Sequence, residues 1–133
     1  MVVLDTSVWI EYLKRPDSVP GREARHLLVT DQALLAGPVL AELLRGTRSI
    51  GEADALQSVL DAVPFVAGDR STWAQTGQLA AELQRRGEAL PLVDVHIAAI
   101  AIEHGASVYS LDRDFERIPG LSRYQPQRGR DSA

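Results

Sequence analysis

At 133 residues, 45% hydrophobic and 24% charged, the chain has the size and composition of one globular domain with a single core. It has no cysteine, which excludes disulfides, a thiolate metal site and a cysteine nucleophile, and fits a reducing compartment. A net charge of −4 excludes a general nucleic-acid coat, whose surface is basic, but not an enzyme that touches nucleic acid locally.

No apolar run approaches the roughly 20 residues of a membrane span. The start "MVVLDTS" has no basic segment and meets an acid at position 5, unlike a signal peptide. A cytoplasmic protein without a membrane partner is expected. Lys14 is the only lysine among 14 cations. Arginine is the better fork for phosphates, although genome composition produces the same bias.

In chain order, residues 2–4 read as a short buried strand and 7–13 as a helix with Trp9 and Leu13 one turn apart. "KRPDSVPG" breaks it, and 22–29 form a second helix. "ALLA" at 33–36 is a strand. Pro38 suits the first turn of a helix that runs to Arg45 and stops at Gly46. A helix over 52–62 and a strand over 64–66 follow. Asp69 or Ser71 caps the longer helix through Arg86, which Gly87 closes. An apolar helix spans 93–104, and 107–111 is the last clear strand. Residues 1–124 make one domain, and 125–133 a flexible tail. Strands alternate with helices and are apolar without polar alternation. The expected class is therefore α/β, a short parallel sheet with helices on both faces.

Four acids fall in informative places. Ligands of open α/β sheets bind beyond the carboxyl ends of the strands. Asp5 directly follows the first strand and Asp112 the last. Glu42 lies at the rim of the arc formed by Val39, Leu40, Leu43 and Leu44; a surface pair with Arg45 would also explain it. Asp94 points among Ala98, Ala101 and Ile102, opposite a polar stripe of His96 and Glu103, and is costly there unless satisfied. Helix capping is the bland account of Asp5, Asp94 and Asp112. If the four converge, their carboxylates repel, and a divalent cation removes the conflict. Oxygen ligands alone select Mg²⁺ or Mn²⁺, which can polarise a phosphodiester and activate water.

"VVLDTSVWI", "GPVLAELLRG", "LPLVDVHIAAIAIEHG" and "SVYSLDRDF" together resemble the four acidic motifs of PIN-domain ribonucleases. In order, spacing and length they resemble the small VapC-type toxins of bacterial toxin–antitoxin pairs, over residues 1 to about 120. The resemblance implies a PIN-like α/β/α fold and a Mg²⁺- or Mn²⁺-dependent endoribonuclease. Asp5, Glu42, Asp94 and Asp112 are the catalytic acids it implies. Asp5, Asp94 and Asp112 would hold the metal, and Glu42 would orient or deprotonate the water. Thr6 or Ser7 would orient a water or phosphate, and Asp114 would be a further acid near the metal. Water attack would leave 5′-phosphate and 3′-hydroxyl ends. The resemblance also implies a VapB-like antitoxin and a homodimer.

Arg45, Arg48, Arg113 and Arg117 are candidate contacts to RNA phosphates, with solvated surface pairs as the alternative. A structured RNA loop is the expected target. His96 is placed on the polar side of its helix, away from catalysis. His104 helps the helix C-terminus, and Trp9, Tyr12 and Trp73 are assigned to the core. A receiver or haloacid-dehalogenase domain also gathers aspartates at strand ends, but needs a late lysine that this chain lacks. A degenerate PIN-like module that binds without cutting is the alternative within the family.

Overall fold

The computed structural model describes residues 1–126. Among the described residues five strands form one parallel sheet in the order β3-β2-β1-β4-β5. In chain order the elements are β1 (Val2–Leu4), α1 (Thr6–Lys14), α2 (Val19–Val29), β2 (Ala33–Ala36), α3 (Gly37–Arg45) and α4 (Ile50–Leu60). They continue with β3 (Phe65–Val66), α5 (Arg70–Arg85), α6 (Leu92–Glu103), β4 (Ser107–Tyr109), a 3₁₀ turn (Arg113–Arg117) and β5 (Ser122–Arg123). The expected α/β/α class holds.

Val2, Val3 and Leu4 are all buried, because β1 is flanked by β2 and β4 and covered by helices. That is why the strand is apolar without alternation. The chain winds from β1 through β2 to β3, then returns to the other side of β1 with β4. The switch point of the sheet therefore lies between β1 and β4. Their register pairs Leu4 with Tyr109, so the next residues, Asp5 and Ser110, leave the sheet side by side.

Helix α6 packs behind the sheet, and Val95 through Ala101 are buried. Apolar residues surround this helix, as expected of one buried on every side. It ends at Gly105, where φ of +62° is the left-handed turn that glycine adopts without strain. His104 Nδ1 donates to the Ile100 carbonyl at 2.9 Å, the C-terminal role expected of it.

Several expectations are corrected. Helix α2 starts at Val19 because Ser18 caps it, accepting from the Gly21 amide, with Pro20 in its first turn. Proline there costs nothing, since that turn has no hydrogen bond to lose. Helix α4 starts at Ile50 on a cap from Ser49. Strand β4 stops at Tyr109, and β5, absent from the sequence reading, pairs with it through Ser107 with Ser122 and Val108 with Arg123. Two exposed polar residues carry no strand pattern; pairing alone defines them.

His96 does not lie on an open polar face. It is 2% exposed, because α5 covers that side: Trp73 stacks on its ring at 3.6 Å and Thr76 Oγ1 lies 3.0 Å from Nδ1. Trp73 is a half-exposed lid rather than a core residue, whereas Trp9 is fully buried. Asp69 caps α5 through a capping box with Thr72. Of the tail expected over 125–133, residues 127–133 lie outside the described residues. Among the described residues no helix is long and apolar enough to cross a membrane.

Candidate active site

Asp5 occupies the N-cap position of α1, but its side chain makes no cap bond. Its carboxylate turns to β4 instead, where Ser110 Oγ donates to Oδ2 at 2.6 Å. Ser7 Oγ also donates to Oδ2 at 3.3 Å, and accepts from the Leu111 amide at 3.1 Å. Ser110 Oγ accepts from the Asp112 amide at 2.9 Å. Two hydroxyls thus tie the end of β1 to the loop that carries Asp112. Ser110 was not singled out from the sequence. The one available signal was a hydroxyl placed level with Asp5 at the end of a parallel neighbour.

Asp112 does act as a cap. Its Oδ1 accepts from the Asp114 amide at 2.9 Å, which starts the 3₁₀ turn that carries Asp114. Asp94 lies in the first turn of α6, where Pro91 is the N-cap and no side chain caps the helix. The positive end of the helix favours a carboxylate there, but Asp94 is not the cap. Glu42 makes no pair with Arg45 among the described residues; Thr6 Oγ1 donates to its Oε1 at 3.1 Å. Thr6 therefore holds the glutamate, and Ser7 holds the first aspartate.

The carboxylates converge. Asp94, Asp112 and Asp114 each bring an oxygen within 4.8 Å of the other two. Asp5 is not one of that triplet, yet its charge acts on Asp94 more strongly than any other. Burial, then the charges of Asp5, Asp112, Asp114 and Glu42, push the Asp94 carboxyl up to about 6. Five acids with so little internal neutralisation fit a hard divalent cation. The donors are all oxygen, the nearest three are within reach of one ion, and the like-charge conflict shows in Asp94 itself.

The arginines differ in place. Arg45 and Arg48 are exposed and make no ion pair among the described residues. Arg113 pairs with Glu116 at 3.6 Å, and Arg117 with Asp114 at 3.9 Å. His96 takes no part: its ring faces α5, and burial holds it below the usual histidine range.

The family model of the PIN domain matches residues 2–121. The chain belongs to the PIN-domain family. Two relatives of this PIN domain are each 30% identical over 129 residues, covering 94% of this chain and 96% of their own. They are the VapC ribonuclease Mb1587 of Mycobacterium bovis and the ribonuclease VapC11 of Mycobacterium tuberculosis. Among solved structures, DNA-bound VapBC from Salmonella typhimurium shares the fold at a TM-score of 0.80 and 27% identity, covering 92% of this chain and 96% of that one.

Proposed function

We propose that this PIN domain, residues 1–124, is a metal-dependent endoribonuclease and the toxin of a type II toxin–antitoxin pair. The observation that carries the reading is the triplet of Asp94, Asp112 and Asp114, with Asp5 and Glu42 close enough for their charges to act on Asp94. The relatives named as VapC ribonucleases support RNA as the substrate. The likeness to VapBC supports a VapB-like antitoxin as partner. A homodimer working in the cytoplasm completes the proposal.

Asp94, Asp112 and Asp114 would hold Mg²⁺ or Mn²⁺, with the charge of Asp5 beside them. When bound, the ion neutralises the carboxylates and polarises the scissile phosphodiester. Glu42, held by Thr6, orients the attacking water and takes its proton. Asp5 is fixed by Ser7 and Ser110, so the site needs little rearrangement during reaction. Attack by water rather than the 2′-hydroxyl leaves 5′-phosphate and 3′-hydroxyl ends. Arg45, Arg48, Arg113 and Arg117 contact backbone phosphates around a structured RNA loop.

The test uses antitoxin-free protein on total RNA of its host, with Mn²⁺, with EDTA and as Asp94→Asn, mapping new 5′ ends. Cuts that need both the metal and Asp94 are expected at one or a few loops. Ends carrying 2′,3′-cyclic phosphate overturn the mechanism. Metal binding without cleavage of any RNA favours the degenerate binding module.

A further inference from the structure

Next to the carboxylates, on the β5 side, lies a cleft of about 450 Å³, within the roughly 300–1,000 Å³ of small-ligand sites. Its near wall is the end of β4, including Ser110 and Asp112. Its far wall includes Val19 and Pro20 from the first turn of α2, and Tyr124 after β5. Asp112 belongs both to this cleft and to the carboxylate triplet, so whatever fills the cleft lies beside the reacting centre.

The walls suit a nucleobase. Tyr124 is fixed, because its hydroxyl donates to Glu23 Oε2 at 2.7 Å and its ring packs 5.2 Å from that of Tyr109. A ring already held loses little freedom when a base stacks on it. The rim suits a phosphate. Arg113 Nε and Arg123 Nη1 share one partner, Glu116 Oε1, at 3.6 and 3.5 Å. Two guanidinium groups on one carboxylate leave one positive charge in that cluster, set against the Asp112 carboxylate of the same cleft. Pairs this exposed are held weakly, so either fork can turn to a phosphate at little cost.

We propose that this cleft is a nucleotide subsite: the base next to the scissile phosphate seats against Tyr124, Val19 and Pro20, with its phosphate on Arg113 and Arg123. The proposal rests on the ribonuclease reading and adds where the chain grips a base. Base contacts rather than phosphate contacts carry sequence preference, so this cleft is where one would arise.

Val19→Trp tests it. Val19 is 38% exposed and lies on the far wall, so a tryptophan there fills the cleft from the side opposite β4. Binding of a short fluorescein-labelled single-stranded RNA is read by anisotropy in an Asp94→Asn background, so that nothing is cut. A matching oligomer of abasic riboses is read alongside. Val19→Trp is expected to weaken the intact RNA about tenfold and leave the abasic one little changed. Arg123→Ala is expected to weaken both alike and to lower the salt slope by about one. A 2-aminopurine in the oligomer reads the same contact without any cleft variant, and its emission is expected to fall on binding.

Equal losses on both oligomers in Val19→Trp, unchanged binding in that variant, or unquenched 2-aminopurine overturns the subsite, while continued cleavage by the unaltered protein leaves the ribonuclease reading standing. A base-dependent loss in Val19→Trp, together with no cleavage of any RNA, keeps the subsite and overturns the ribonuclease. Loss of antitoxin binding alone, with RNA binding intact, assigns the cleft to the protein partner and overturns the proposal.

Discussion

Asp94→Asn removes a charge that the folded chain holds at a cost. The Asp94 carboxyl titrates at about 6 in place of 3.8, so between those values the folded state binds the proton more tightly than the unfolded one. Stability of the metal-free protein therefore falls as pH rises through that window, and the whole penalty is present above pH 6. At ~1.4 kcal/mol per pH unit the displacement corresponds to about 3 kcal/mol. The carboxylate is partly exposed, and screening reduces this to about 1–1.5 kcal/mol. Asparagine has similar shape and no charge, and Asp94 makes no cap bond that it would lose. In EDTA at pH 7.5 the variant should melt about 3–6 °C higher than the parent, and the gap should close towards pH 4. Mn²⁺ should raise the parent's melting temperature by mass action and leave the variant's nearly unchanged. Differential scanning calorimetry with and without Mn²⁺ reads all of this. A variant less stable than the parent at pH 7.5 in EDTA, or a gap independent of pH, refutes the picture of mutually repelling acids.

Ser110→Ala unties Asp5 from the Asp112 loop and should lower kcat about tenfold, through hydrogen bonds to charge worth ~1.5 kcal/mol. Ser110→Thr should recover most of it, and metal affinity by calorimetry should follow the same order. Thr6→Val leaves Glu42 without its donor. A fall of about tenfold in kcat with KM unchanged is expected, and a loss in KM alone would assign Thr6 to substrate binding. Gly68→Ala places a Cβ 2.7 Å from His96 Cε1 and 3.2 Å from Thr72 Cβ, so the α5–α6 packing must shift. A loss of about 1–3 kcal/mol in urea unfolding is expected, with cleavage by the remaining folded protein unaltered.

Much of the fold was legible because its signals are local. Apolar runs without alternation mark strands buried on both faces. Proline and glycine punctuate the helices, and the Asp69 cap is a short-range hydrogen-bonding pattern. Misses came where local chemistry was ambiguous or silent. Pro20 has the sequence signature of a breaker although a first turn accepts it, and β5 has no side-chain pattern. The polar face given to His96 looked open because helical periodicity reveals a stripe but not what packs on it.

The same division runs through the site. Sequence alone determined which acids follow strands and open helices, and the four motifs together were enough to reveal the PIN family. It could not show that Asp5 ignores its own helix to bond Ser110, because the bond joins residues 105 apart. Nor could it give Glu42 to Thr6 rather than to Arg45, or show that Asp114, expected as a further acid near the metal, joins the triplet while Asp5 stays outside it. Those choices depend on which strand lies beside β1 and in what register, and that is set by pairing and packing across the whole chain. The residue types were chosen locally; their shared field, which pushes Asp94 up to about 6, exists only once the sheet has placed them together.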